Sequence, residues 1–323
     1  MPAYANLAWA EVLLERRSEA AATLQRAVAR HLEFPDFIVL RCCFAFLDRD
    51  DAAMARAAAM GTASSGVEDW MAHQQAAVLA HAGRLREART MTRQAVALAL
   101  QSGGRERAAL YEAGSAVRES LRGAARQAAT DALALSTARD VEYGAALALA
   151  LAGEAPRART PADDLEARFP DDTLVRFIDL PTLRALVDLQ AGGAVLAVDR
   201  LQLAVPRDLA FQGGSFGSFG SLYTAYVRGL AWMAADKAPE AAGEFRTVLA
   251  HPGLVLQDPV GIAARVQLAR ALARSGDHSQ AAVMYREFLD LFNHADQDVP
   301  LLGDARVELA RLHPGHNHRS EAK

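Results

Sequence analysis

Residues 262–292 read IAARVQLARALARSGDHSQAAVMYREFLDLF, which is two apolar helical segments separated by Gly276 and Asp277. Glycine and aspartate are typical of a helix end followed by a helix start. Ala269 and Ala281 lie where the two helices would touch, and such small side chains allow close packing. This stretch therefore predicts two helices joined by a short turn, a helical hairpin.

The same pattern recurs along the chain with a fixed period. Ala20, Met54 and Ala88 are 34 residues apart in turn, and so are the members of two further series, Ala8, Cys42 and Ala76, and Ala27, Gly61 and Ala95. This period, with small residues at helix crossings, is typical of tetratricopeptide repeats, in which each unit is a helical hairpin. Eight hairpins are predicted, at residues 3–31, 37–60, 70–100, 110–135, 143–169, 174–205, 223–250 and 262–292.

The predicted fold class is all-α, a right-handed superhelix of about eight such hairpins. Aromatic residues make up only 7% of the chain, and alanine, the best helix former, is abundant. A helix after Pro300 is expected to cap the last hairpin, since the end of a repeat array needs a cover. The solenoid should occupy residues 1–312, followed by a disordered tail at 313–323. We expect Ala88, Ala128, Ala241 and Ala281 to be almost fully buried at helix crossings.

Two features depart from the regular pattern. FQGGSFGSFGS, at residues 211–221, is a Gly/Ser-rich stretch that is expected to be a mobile loop. Pro161 falls inside the second helix of the fifth hairpin, where it is expected to kink or shorten the helix.

Charge and composition exclude several kinds of partner. The formal net charge is −4 and the pI is about 6.2, so nothing indicates a nucleic-acid or acidic-membrane partner. No uncharged apolar run is long enough to cross a bilayer, and the amino-terminal segment reads as an amphipathic helix, not a signal peptide. Cys42 and Cys43 are adjacent, are poorly placed for a disulfide, and should fill a helix interface. We expect a cytoplasmic protein, or a periplasmic one if it is attached to a membrane-anchored effector.

The last third of the chain carries the clearest family resemblance. LYTAYVRGLAWMAADKAPEAAGEFRTVLAHPG, at residues 222–253, and the stretch at 258–312 resemble the carboxy-terminal repeat region of certain bacterial regulators. Those proteins join tetratricopeptide repeats to a eukaryotic-like serine/threonine kinase or to a winged-helix DNA-binding domain. The resemblance implies a sensory or regulatory region, and NLAWAEVLLERRSEA near the start extends it over most of the chain.

The effector domain of those regulators has no counterpart in this sequence. A kinase needs a glycine-rich phosphate loop, a strand lysine, and HRD and DFG motifs. The chain contains neither HRD nor DFG, and Gly213, Gly214, Gly217 and Gly220 do not have the GxGxxG spacing. Kinase activity therefore does not follow from the resemblance.

The candidate site is the groove lined by the first helix of each hairpin. Aromatic and arginine side chains are common anchors at protein interfaces, and Tyr223 and Tyr226 share a helix face directly after the Gly/Ser-rich stretch. The other interpretation is that these aromatic residues fill gaps between hairpins. Helical spacing from the crossing residues places seven residues on or near this face: Trp9, Trp70, His73, Tyr143, Tyr223, Tyr226 and Arg270.

Other site chemistries find little support in the sequence. His313, His316 and His318 have a spacing that a metal would accept, but a terminal tract lacks the fixed geometry that metal sites need. The Asn and Lys residues of a chaperone-type peptide clamp are missing, and no Ser/His/Asp or Cys/His set can be assembled. We therefore expect no metal, no cofactor and no catalytic residues.

These observations predict a non-catalytic interaction module or scaffold that binds a protein or peptide segment in its concave groove. The alternative is the sensory or regulatory carboxy-terminal region of a bacterial Ser/Thr kinase or transcriptional regulator. No nucleic-acid partner and no membrane insertion are expected.

Overall fold

The computed structural model describes residues 3–32, 34–120, 124–211 and 219–312. Within these ranges the chain forms eighteen α-helices and no strand, which confirms the all-helical prediction. The helices are α1 (Ala3–Leu13), α2 (Arg17–Ala29), α3 (Asp36–Leu47), α4 (Asp51–Thr62), α5 (Glu68–His81), α6 (Leu85–Gln101), α7 (Arg105–Glu119), α8 (Arg126–Leu135), α9 (Arg139–Leu151), α10 (Ala155–Arg168), α11 (Leu180–Gln190), α12 (Ala194–Leu201), α13 (Tyr223–Ala234), α14 (Ala238–Leu249), α15 (Pro252–Val255), α16 (Pro259–Arg274), α17 (His278–Leu291) and α18 (Pro300–Arg311).

Successive helices pack against each other, and small residues lie at the crossings. Ala88, Ala241 and Ala281 are buried as predicted. At Gly229 a methyl group would come within 2.6 Å of the Phe245 ring, so only glycine fits this crossing of α13 and α14. Ala128 is only partly buried, because the packed face of α8 is centred one position further along, at the fully buried Ala129.

The turns share a backbone conformation that explains why the hairpins are compact. A residue with positive φ lies two positions before the first residue of the following helix. Examples are Gly83 before α6 and Gly276 before α17. Asp236 has the same conformation with φ of 60°, although a side chain disfavours this region. Asp277 then caps α17 by accepting a hydrogen bond from the Gln280 amide at 3.1 Å.

The region after α11 departs from the prediction. The helix expected to reach residue 205 ends at Leu201, and residues 202–211 continue as turns with one short 3₁₀ segment, Val205–Arg207. Pro161 does not shorten its helix, since α10 continues to Arg168. Residues 212–218 of the Gly/Ser-rich stretch and the tail at 313–323 lie outside the described residues.

The first third of the chain packs against the last third. Helix α1 contacts α15, and α5 contacts α16. The Gly253 amide donates to Glu15 Oε1 at 2.6 Å, and a methyl group at Gly253 would lie 2.2 Å from the Val12 carbonyl oxygen. The Asp296 amide donates to the Gly83 carbonyl at 3.0 Å. The chain therefore closes on itself, and helices far apart in sequence cover one another.

Candidate functional site

A groove lies between α13, α16 and α18, with a cavity volume of about 610 Å³. Each helix contributes side chains three or four residues apart, which share one helix face. Helices α13 and α16 are each the first helix of a packed pair, α13 with α14 and α16 with α17, and α18 packs against α17. We call this groove the C-terminal groove, and it is lined by Leu230, Met233 and Ala234 from α13, Gln267, Arg270, Ala273 and Arg274 from α16, Tyr285 from α17, and Glu308, Arg311 and Leu312 from the end of α18.

Arg270 is the centre of a hydrogen-bonded network in this groove. Its Nε donates to Glu308 Oε2 at 2.9 Å, and its Nη2 lies 3.4 Å from Asp304 Oδ2. The Tyr285 hydroxyl donates to Glu308 Oε2 at 2.8 Å. Burial lowers the pKa of Arg270, but hydrogen bonding and charge interaction with Glu308 outweigh that effect and raise it above its ordinary value. The guanidinium is therefore charged and held in one orientation.

Two further arginines give the groove a positive rim. Arg274 is exposed, and its Nη1 donates to the Met233 carbonyl at 3.1 Å. Arg311 is also exposed, and no carboxylate within the described residues pairs with it. Three guanidinium groups face two carboxylates, so the groove has a small excess of positive charge beside the apolar surface of α13. Such a surface fits a carboxylate and an apolar group at the same time.

Arg270 is the one predicted site residue that lines the C-terminal groove. Trp9 is half-buried between the first hairpins, and Trp70 is 3% exposed in the core around Met71. His73 is fully buried, and its ring stacks on Tyr111 with 4.5 Å between ring centroids. Trp70 and His73 therefore fill the interior and Trp9 packs partly into it, in keeping with the interpretation that these aromatic residues fill gaps between hairpins.

The three predicted tyrosines are also buried. The Tyr223 hydroxyl donates to Asp258 Oδ1 at 2.7 Å, and the Tyr226 ring packs edge-on against the Tyr223 ring with 6.3 Å between centroids. Burial raises the pKa of Tyr226 to about 12. Tyr143 is 5% exposed, and its hydroxyl finds no hydrogen-bond partner among the described residues. None of the three offers a surface to a partner, contrary to the expectation that Tyr143, Tyr223 and Tyr226 lie on the groove face.

Sequence reasoning missed a buried polar cluster beside these tyrosines. Asp258 caps α16 by accepting from the Val260 amide at 2.9 Å, and burial raises its pKa to about 7. Burial lowers the pKa of Arg118, which lies near Asp258, to about 10. Burial also raises the pKa of Asp179 to about 7. The only signal in the sequence was Asp-Pro at a helix start, which indicates a cap and not a cluster.

Comparison with protein-family models and with curated proteins gives no match. Among the described residues, no helix has the length and apolar character needed to cross a membrane. No group of three or more His, Cys, Asp or Glu side chains in the described part of the chain is arranged to hold a metal ion. His313, His316 and His318 lie outside that part.

Proposed function

We propose that this chain is a non-catalytic protein-interaction module that binds a segment of a protein partner in the C-terminal groove. The observation that carries the proposal is the groove itself, an open cavity that joins apolar residues of α13 to three arginines. Its lining side chains include no serine, threonine, cysteine or histidine that would act as a nucleophile or base. The groove has the chemistry of a binding surface.

The finer architecture belongs to the same proposal. We take the helical pairs as about eight tetratricopeptide-like hairpins in a right-handed superhelix, on the strength of the 34-residue period and the sequence resemblance. The alternative function, a sensory or regulatory region of a bacterial kinase or transcription regulator, draws support from the same resemblance, because the groove lies within residues 222–312. In either case the groove receives the partner or signal.

The partner segment should carry an acidic side chain or a free carboxy terminus next to an apolar residue. A carboxylate would meet Arg274 and Arg311 at the rim, where charge-assisted hydrogen bonds are stronger than neutral ones. An apolar side chain would cover Leu230 and Ala234, the two α13 lining residues that are not buried. Arg270 is already engaged by Glu308, so its role is to keep the groove in shape and to add to its positive field.

A displayed library of random peptides of about 16 residues, selected on the full chain, tests this proposal. Enriched peptides should pair an acidic with an apolar residue. Synthetic copies should bind Arg311→Glu or Arg274→Gln roughly tenfold more weakly in isothermal calorimetry, a loss of about 1.4 kcal/mol. Arg93→Glu, on the exposed surface of α6, is the matched control and should bind like the parent chain.

Two outcomes would contradict the proposal. One is that the selection enriches no peptide, and the other is that the enriched peptides bind the two groove variants and the parent equally well. Circular dichroism of each variant separates lost binding from lost structure.

A further inference from the structure

Exposed apolar side chains concentrate in one short segment of the molecule. The described residues include fifteen exposed large apolar side chains, and six of them fall within residues 195–211. Val195 is 68% and Leu203 59% exposed, the largest values of the six. A contiguous apolar patch on a surface otherwise covered by polar groups is a mark of an interaction site.

The patch follows one side of α12. Leu196, Arg200 and Leu203 are four and then three residues apart, so they share a face of the helix and its final turn. The opposite side is in the core, where Ala197 and Leu201 are fully buried. This division fixes the orientation of α12, and Leu196 and Leu203 must therefore point outward. We call Val195, Leu196, Arg200 and Leu203 the α12 face.

The α12 face adjoins a cleft of about 460 Å³. Arg200 and Leu203 line the cleft together with Arg176 and Arg184, while Phe169 contributes an aromatic edge. The apolar face and the arginine-lined cleft therefore form one continuous surface, because the same two residues belong to both.

Two arginines at this surface are not neutralised by a carboxylate. The guanidinium of Arg176 lies 5.2 Å from the centre of the Phe177 ring, and that of Arg207 lies 4.2 Å from it. Neither makes an ion pair within the described residues. Arginines stacked on an aromatic ring keep their N–H groups free to bind an anion. Asp171, also in the cleft lining, offsets one of these charges but leaves an excess of positive charge.

The other two arginines of the cleft are already paired. Arg184 binds Glu166, and Arg200 Nε donates to Asp188 Oδ2 at 2.8 Å. These pairs hold the cleft walls in place. Anion binding is therefore assigned to Arg176 and Arg207, on the Phe177 ring.

We propose that the α12 face and the Arg176–Arg207 pair form a second docking site, which binds an acidic amphipathic helix of a protein partner. The apolar stripe of such a helix would cover Leu196 and Leu203, and its acidic flank would meet the two free guanidinium groups. Apolar anchors at i, i+4 and i+7 are the usual means of binding a helix in a groove. The site is separate from the C-terminal groove and does not depend on it.

Two synthetic helical peptides of about 18 residues, with the same leucine stripe but with either glutamate or arginine flanks, provide the test. Fluorescence anisotropy on the full chain should show binding of the acidic peptide only. The double variant Leu196→Glu, Leu203→Glu should bind it at least tenfold more weakly. The charge-swap variant Arg176→Glu, Arg207→Glu should lose the acidic peptide and gain the basic one.

Matched controls place the binding on this surface. Val283→Glu and Leu100→Glu introduce the same charge at exposed apolar positions of α17 and α6, and both should bind like the parent. The acidic peptide also has the chemistry proposed for the C-terminal groove, so the α12-face measurements are repeated in the Arg311→Glu background. There the acidic peptide should still bind, and Leu196→Glu, Leu203→Glu should still abolish that binding, whereas any part lost in Arg311→Glu alone belongs to the C-terminal groove.

Four results would overturn the proposal. The acidic peptide would fail to bind the parent chain, or it would bind the charge-swap variant equally well. Sedimentation velocity would show a dimer that Leu196→Glu, Leu203→Glu dissociates, which would assign the face to a second copy of the chain. The parent, but not this double variant, would bind phosphatidylserine vesicles, which would assign it to a membrane.

Discussion

A tyrosine–carboxylate hydrogen bond lies near each end of helix α16, and the two carboxylates have different surroundings. At its start Asp258 accepts from the Tyr223 hydroxyl at 2.7 Å, and across its last turn Glu308 accepts from the Tyr285 hydroxyl at 2.8 Å. Asp258 is buried, whereas the Glu308 side chain keeps 28% of its surface exposed. Both tyrosines are only 2% exposed, so the two pairs differ in their carboxylate: Asp258 belongs to the interior, and Glu308 reaches an open groove.

The difference arises from what covers each end. Asp258 accepts from the Gly220 amide at 3.2 Å and lies near the buried Arg118 of α7. Further along α16, helix α5 packs against it, and Arg265 of α16 lies near His81 of α5. Burial, and then Arg265 and Arg49, lower the pKa of His81 to about 4. An aromatic or arginine residue on the first helix of a hairpin is therefore not always accessible to a partner. Coverage by a distant part of the chain decides whether it is accessible.

The largest expected effect concerns charge in the covered region. Burial raises the pKa of Asp179 from 3.8 to about 7, with Asp140 and Asp172 adding to the rise and Arg139 opposing it. The folded state binds this proton more tightly than the unfolded state. The corresponding stability is complete below about pH 4 and is lost as pH rises through about 7.

Asp179→Asn should therefore stabilise the protein at about pH 8.5 by an amount on the order of 4 kcal/mol, and by about half of that at about pH 5.5, midway between the two pKa values. Urea unfolding of variant and parent at both pH values measures the difference. Gly243→Ala, within α14, changes no titratable group and is the control, so it should shift the two values alike. An equal effect of Asp179→Asn at both pH values would show that this carboxyl is not desolvated.

The next effect tests the contact between the first and last thirds of the chain. A methyl group at Gly253 would approach the Val12 carbonyl to 2.2 Å, and a backbone atom there cannot turn aside. Gly253→Ala should cost about 2 kcal/mol. Hydrogen exchange should increase in α1 and α15 together, because they would separate.

Gly243→Ala is the matched control for this substitution. Gly243 lies within α14, and a methyl group there would meet no atom within 4 Å. Since alanine is the better helix former, this variant should gain about 0.5–1 kcal/mol. If both variants are stabilised alike, the contact at Gly253 does not hold the thirds together.

Sequence reasoning found the helices and most of their contacts because both are local. The 34-residue period placed Ala88 and Cys42 in the core, where the structure has them. It placed the turns as well, but it did not indicate that Asp236 takes a conformation otherwise held by glycine. A repeating pattern records how each helix meets its neighbours, and this part of the fold was predictable.

Contacts between distant hairpins were not predictable from the period. Tyr223 was expected to face a partner, and nothing in the repeat indicates that Asp258 lies against it, near Arg118 of α7. Arg270 was found by helical spacing, but its partner Glu308 belongs to the terminal helix, outside the repeat pattern. Of the residues that line the C-terminal groove, the sequence therefore predicted only Arg270, and the structure identified the others.

The smallest expected effect on stability is the most direct test of the difference between the two ends of α16. Tyr223→Phe and Tyr285→Phe each remove one hydroxyl and leave the ring in place. At the covered end this leaves the buried Asp258 carboxyl without one of its donors, a loss of about 1–2 kcal/mol. At the open end water can replace the Tyr285 hydroxyl at Glu308, so the loss should be about 0.5 kcal/mol or less.

Urea unfolding gives both values, and a peptide that binds the C-terminal groove supplies a second measurement. Tyr285→Phe should weaken that peptide because Glu308 is then held less firmly against Arg270, whereas Tyr223→Phe should leave its affinity unchanged. Tyr223→Phe is thus expected to have the larger effect on stability, and Tyr285→Phe the larger effect on peptide binding. Equal losses of stability would mean that both ends of α16 are covered alike. That result would contradict the assignment of the C-terminal groove as the binding surface.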